Sequence, residues 1–190
     1  MSSSVSTDPP AGERGAGPVR RRLVSLGIGV VLAVGLWVGL TGFTATGPTK
    51  APAFSLPRLG PGPRVSVPIV GEGAHDPVVV TFFASWCGPC HTELPTVARV
   101  ARQARAAGDK VRFIGIDDND AAASGLAFAR ASGVDFPVGR DWLVLVAPRF
   151  DVQGNPSTVF IAGDGDVVKT VRGPMTAEAL DAEIARIDRT

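Results

Sequence analysis

Cys87 and Cys90 are the only cysteines in this chain of 190 residues. Gly88 and Pro89 separate them. Residues three apart on a helix share a face, so the two sulfurs can come within disulfide range without moving the backbone. At a helix start, N–H groups lack partners and the dipole favours negative charge. Thiols held there have pKa values lowered to about 3.5–7.5. The chemistry this suits is thiol–disulfide exchange. Cys87, at the start of the turn, is expected to be the exposed nucleophile, and Cys90, one turn further in, the buried resolving thiol. The exchange would pass through a mixed disulfide on Cys87, released by attack from Cys90. A structural clip is the weaker alternative, because so short a loop restrains little of the unfolded chain. Half of a zinc site would need a second CxxC, and the chain has none; its only histidines are His75 and His91.

The cysteines need an element on each side. Val78 to Phe83 is a run of β-branched and aromatic residues and reads as a buried strand. After Cys90 the period changes: Leu94, Val97, Ala101 and Ala104 recur at helical spacing, and Gly108 is the expected C-cap. Pro89 fits the first helical turn, where an N–H has no partner in any case. A strand therefore hands over to a helix at the CxxC.

Downstream, Val111 to Asp117 reads as a second buried strand and Ala121 to Ser132 as a helix stopping at Gly133. The intervening Asp117-Asp118-Asn119-Asp120 does not have the spacing of a calcium loop, and no glycine stands at the sixth position. A strand end followed by an Asp N-cap is expected there. Trp142 to Ala147 has the composition of a strand. Val159 to Ile161 and Val167 to Val171 flank the hairpin turn Gly163-Asp164-Gly165-Asp166. Thr176 opens a last helix with Leu180, Ile184 and Ile187 as its inward stripe. Alternating strands and helices give the α/β class.

Trp86-Cys87-Gly88-Pro89-Cys90 after a buried strand resembles the thioredoxin superfamily. Cys90-His91-Thr92-Glu93-Leu94-Pro95 resembles, more narrowly, the CxxE[hydrophobic]P continuation of its membrane-anchored TlpA/ResA type. Ala51-Pro52-Ala53-Phe54-Ser55-Leu56 looks like that family's APxFxL opening, after which a hairpin turning at Gly60-Pro61-Gly62-Pro63 is expected, with Val65 to Val70 as its second strand. Phe136-Pro137 and Asp141 look like its FPxxxD stretch. The resemblance covers roughly Ala51 to the C-terminus. It implies a thioredoxin-like fold, a central mixed β-sheet flanked by helices on both faces, and a short helix at Trp142 to Ala147, which Pro148 would end early. It also implies a cis peptide bond at Pro156, before the Val159–Ile161 strand and beside the CxxC. Trp86, Gly88, Pro89, Asn155 and Pro156 then become the substrate-binding rim. Asn155 departs from the apolar or Thr residue expected there.

Exchange also needs a proton acceptor for Cys90. Classical thioredoxins carry a buried carboxylate on the strand six residues before the first cysteine; here that position is Thr81. Glu93, three residues after Cys90 on the same helix face and matching the Glu of CxxE, is the expected substitute. Repulsion from ionising thiols would raise its pKa toward neutrality. His91 would favour the thiolate if charged. Pro95 is expected to kink the helix. No metal or cofactor is required.

Residues 1–22 read as a disordered tail. Arg20-Arg21-Arg22 precedes the uncharged stretch 23–43, about 30 Å long as a helix and enough to cross a membrane. The run is long for a cleaved signal peptide and lacks an A-x-A-like site, so a retained single-pass anchor is expected. The positive-inside rule puts the arginines in the cytoplasm and the rest outside. Residues 44–50 form a linker and 51–190 the thioredoxin-like domain, with His75 solvated in a loop. The whole chain carries +1, and the part before the span carries +2, leaving the outer domain at −1. Near-neutrality argues against a nucleic-acid partner. The expected partners are protein thiols and disulfides, apocytochrome c among them, with a membrane thiol transporter as electron donor. The rivals are an oxidant that inserts disulfides into secreted proteins, a copper-binding chaperone of the same fold using Cys87, Cys90 and a histidine, and a peroxidase.

Overall fold

The computed structural model describes residues 50–67 and 76–189. The expected tail and membrane span, nearly all of the linker and His75 lie outside the described residues. Among the described residues, no helix is long and apolar enough to cross a membrane.

The centre is β3 (Val78–Phe83), a strand with every residue buried. It pairs in parallel with β4 (Arg112–Asp118) and antiparallel with β6 (Ser157–Ile161). β5 (Val138–Asp141) extends the parallel side and β7 (Val167–Arg172) the antiparallel side, giving the order β5-β4-β3-β6-β7. This is the expected mixed sheet. β5 itself was not expected: its sequence VGRD has no β-branched run, and it is recruited by pairing with β4.

Alternation along β3 divides the core in two. Val79 and Phe83 face one cluster with α1 (Cys90–Ala107), α2 (Ala122–Ala131) and α3 (Ala177–Ile187). Val78, Val80 and Phe82 face the other, which is covered by the hairpin β1 (Phe54–Leu56) and β2 (Val65–Val67) and by a single 3₁₀ turn, Ala147–Phe150. The expectation of helices flanking both faces therefore holds on the second face only through that 3₁₀ turn. The reason is topological. β3-α1-β4 and β4-α2-β5 both step the same way along the sheet, and right-handed crossovers then put both helices on one face.

The expected short helix at Trp142–Ala147 is corrected. Trp142 to Val146 is a turn and loop, and the 3₁₀ helix starts at Ala147 with Pro148 in its first turn, where a missing N–H costs nothing. The chain after β1 runs along β5, with Leu59 N–H bonded to Val138 O (2.8 Å) and Arg140 N–H to Pro57 O (2.8 Å), so this sheet edge is covered.

α1 buries the expected Leu94, Val97, Ala101 and Ala104, runs through Pro95 as one helix and ends at Gly108, whose φ of 83° suits a residue without Cβ. α3 starts at Thr176, whose hydroxyl accepts from Ala179 N–H, and buries Leu180, Ile184 and Ile187.

Gly125 of α2 crosses β4 at Asp117: a Cβ there would lie 2.4–2.6 Å from the Asp117 carboxyl. Overpacking costs about 1–3 kcal/mol, against a gain of about 1 kcal/mol in helix propensity. Gly125→Ala should therefore lower stability in urea unfolding. In an Asp117→Ala background the same substitution should become neutral or stabilising.

Candidate functional site

β3 ends at Phe83, and the chain turns before α1 begins. Cys87 N–H bonds to Ala84 O (3.2 Å), Cys90 N–H to Cys87 O (3.1 Å) and His91 N–H to Gly88 O (3.1 Å). Cys87 thus lies in the turn ahead of the helix rather than inside it, and Pro89 occupies the N-cap position. The cysteines are joined as a disulfide with Cα atoms 5.3 Å apart. Cys87 is 4% exposed and Cys90 fully buried. Cys87 was expected to be exposed; in the disulfide it is buried, though less completely than Cys90. Cys90 N–H also reaches Cys87 Sγ at 3.3 Å, so a thiolate formed at Cys87 would have a donor and a helix N-terminus in place. Gly88 and Pro89 are exposed beside it.

Neighbouring elements pin this turn. Asp120, directly after β4, accepts from Ser85 N–H (2.6 Å) and from Ala121 N–H (2.7 Å). Asp120 was expected to cap α2. The N-cap is instead Ala121, with no side-chain cap, and the Asp120 carboxylate is spent on the redox turn. The exposed Trp86 donates its indole N–H to Asn119 O at 2.9 Å. His91, on the surface, places a ring nitrogen 2.9 Å from Ser85 O and its ring 4.4 Å from that of Phe128.

Glu93 lies under the turn rather than on the helix surface, 2% exposed. Its Oε1 accepts from Met175 N–H at 3.0 Å. Burial pushes its carboxyl up to about 7, and the Met175 amide only partly opposes this. The shift was expected, but its cause differs: the low dielectric around the carboxyl suffices without charge on the thiols.

The Asn155–Pro156 bond is cis, as the resemblance implied. Register explains its placement. Ser157 pairs with Phe82, so the residues before β6 sit at the sheet end from which the CxxC turn departs. Pro156 O accepts from Gly173 N–H at 2.9 Å. Asn155 is half-buried, its amide 3.5 Å from Asp118 Oδ2, and its Oδ1 finds no partner among the described residues.

Not foreseen from the sequence is a group of carboxyls at the same sheet end. Asp117, Asp118, Asp120 and Asp141 are all buried. Asp117 finds no donor among the described residues. Burial, then the facing Asp120 carboxylate, push it up to about 7; the two can hydrogen bond only while one holds a proton. Asp118 is pushed up to about 6 by burial and by Asp141. The signal was present as a strand ending in two acids, but alternation alone cannot show that both stay dry.

A disulfide at a helix N-terminus, with a donor on its outer sulfur and a near-neutral carboxyl one turn further along, can exchange with a protein thiol. The comparisons agree. The Redoxin family model matches residues 48–187. The chain is 31% identical to the thiol-disulfide oxidoreductase ResA of Bacillus subtilis, over 83% of this chain and 88% of that protein. It is similar to the structure of DsbF from MTB, with 28% identity and a TM-score of 0.63 over 75% of this chain and 99% of that one. It is also similar to a secreted Mycobacterium tuberculosis disulfide oxidoreductase homologous to E. coli DsbE, with 25% identity and a TM-score of 0.59 over 70% and 95%. The chain belongs to the Redoxin family and is a thiol–disulfide oxidoreductase of the thioredoxin superfamily, acting on protein thiols and disulfides.

Proposed function

We propose that the chain is a membrane-tethered, extracytoplasmic reductase of protein disulfides, working on a substrate such as apocytochrome c before haem attachment and recharged by a membrane thiol transporter. The observation that carries the redox chemistry is the Cys87–Cys90 disulfide at the exit of β3, with the outer sulfur next to the Cys90 N–H and the inner one dry. Direction and location rest on the resemblance, on the Gly-Pro dipeptide and on the uncharged stretch behind three arginines.

In the reduced protein, the Cys87 thiolate attacks a substrate disulfide. One substrate sulfur joins Cys87, and the other leaves as a thiolate that takes a proton. Cys90 then passes its proton to the Glu93 carboxylate and attacks Cys87 Sγ. The Cys87–Cys90 disulfide forms, the second substrate sulfur leaves, and two electrons have moved from the protein to the substrate. The exposed Trp86, Gly88 and Pro89 and the half-buried Asn155 form the rim against which the substrate lies; Pro156, expected in the same rim, is buried.

Equilibration of the protein with glutathione or dithiothreitol tests the direction. The expected reduction potential is near or below about −250 mV; a value near −120 mV marks an oxidant instead.

Glu93 is tested by pH. Its base form is needed, so resolution of the mixed disulfide should speed up as pH rises through about 7. Glu93→Gln should lose this limb and slow resolution by about 10²-fold. Stability runs the other way. A carboxyl raised from 4.5 to about 7 by folding gives stability that is present below pH 4.5 and lost as pH rises through 7. Because Asp117 and Asp118 titrate in the same direction, the difference between wild type and Glu93→Gln is the quantity to follow.

Location is tested with the same two cysteines, since the chain has no others. After reduction in whole cells, a membrane-impermeant maleimide should label the full-length chain. Labelling only after lysis would place the domain inside.

A further inference from the structure

We propose that Trp142, Leu143 and Leu145, together with Trp86, form a docking surface for apolar side chains flanking the reacting cysteine of an extended polypeptide substrate. The proposal rests on the redox reading above and names the class of substrate it prefers.

These four are the large apolar residues exposed in the described structure, at 57%, 54%, 65% and, for Trp86, 60%. Exposed apolar side chains held together mark contact sites more often than chance. From Trp142 to Pro148 the chain carries no charge.

The loop is built, not loose. Asp141, 2% exposed at the end of β5, accepts from Leu145 N–H (2.9 Å) and Val146 N–H (2.7 Å), and its own carbonyl accepts from Val144 N–H (3.1 Å). Val144 sits at φ 55°, a left-handed conformation that costs a side-chain-bearing residue about 1–2 kcal/mol and costs a β-branched one most readily. What this conformation achieves is visible in the packing. Val144 turns inward onto the second core, while its neighbours Leu143 and Leu145 stay in solvent. Strain that keeps apolar groups out of the core is the kind stored where a surface has work to do.

The loop leaves the same end of the sheet as the redox turn. β3, β4 and β5 run parallel and end at one edge of the sheet. Asn119 joins them: its N–H bonds to Asp141 O (3.2 Å), and its carbonyl receives the Trp86 indole N–H (2.9 Å). The residue before Trp142 and the residue before Cys87 are thus both tied to Asn119.

A polypeptide segment fits better than a second copy of the chain. Stable interfaces engage about 20–30 residues a side, far more than this patch, whereas a few apolar side chains beside a cysteine match it in size. Their burial would lower the cost of forming the mixed disulfide without altering the sulfur chemistry.

The test uses the full-length chain, reduced with dithiothreitol and freed of it, and two synthetic peptides with one internal disulfide each. One has Leu and Phe around its cysteines, the other Ser and Asn. Second-order rate constants are measured for each and compared as a ratio, which cancels any general damage to the protein. Wild type should prefer the apolar peptide by at least about tenfold, the effect of keeping one large apolar side chain from water. Trp142→Ser/Leu143→Ser/Leu145→Ser should bring the ratio near one, and Leu145→Ser alone should fall between. A ratio unchanged by the triple substitution overturns the proposal. If that result comes with a dimer that the substitutions convert to a monomer in sedimentation, the surface belongs to a second copy. If it comes with quenching by bromine-labelled phospholipid that is smaller in Trp142→Phe than in wild type, beyond the quenching of Trp37 that both share, the surface belongs to a bilayer. Exchange with neither peptide by wild type overturns the redox reading along with the proposal.

Discussion

The exit of β3 is the constraint on which the site depends. A strand buried on both faces must deliver one sulfur to the surface and keep the next, three residues on, out of water. The turn from Ala84 to Pro89 does this because its amides are used within a few residues, and because Cys90 N–H reaches the Cys87 sulfur as well as the Cys87 carbonyl. Helix α1 then has its N-terminus at the outer sulfur and its apolar stripe in the core.

The turn is also held from the side, by groups that belong to other strands. Asp120 fastens Ser85, and Asn119 fastens Trp86. Both follow β4, which pairs with β3 to its last residues. Small adjustments in β4 would therefore reach the redox turn through two hydrogen bonds. Burial and, after it, the facing Asp120 carboxylate raise the Asp117 carboxyl to about 7 here. Losing its proton would put repulsion next to the anchor of Ser85. Glu93 reaches a similar pKa by burial alone. It is the one on the helix face of Cys90, which is why proton transfer is assigned to it and not to Asp117.

Much of this was legible in the residues. The strand, the CxxC and the stripe of α1 follow from periodicity, because one element buried on both faces and one buried on a single face leave different patterns. The choice of Glu93 and the cis bond at Pro156 came only through resemblance, and the burial of Glu93 was not foreseen: no local pattern separates a buried helix Glu from a solvated one, or a cis proline from a trans one. β5 stayed hidden because VGRD gains its strand character from β4 and from packing of Gly139 under Leu56, where a Cβ would lie 3.0 Å away. The role of Asp120 stayed hidden for a related reason. An Asp ahead of a helix looks like a cap, and only the approach of Ser85, 35 residues earlier, redirects it.

The stretch Trp142 to Val146 shows where local propensity and tertiary structure part. Its composition suits a strand, yet the register leaves no strand beside β5 to pair with; the chain after β1 already occupies that edge. Without a ladder, the backbone amides of Leu145 and Val146 need acceptors, and the buried Asp141 carboxylate supplies both. Buried carboxyl oxygens must be satisfied, so loop and side chain stabilise each other. The consequence is a fixed loop whose apolar side chains cannot all turn inward, because the inward direction is filled by Val144 and Val146. Exposure of Trp142, Leu143 and Leu145 thus follows from where the amides must go. A protein that exchanges disulfides with other chains has a use for such a surface beside its cysteine.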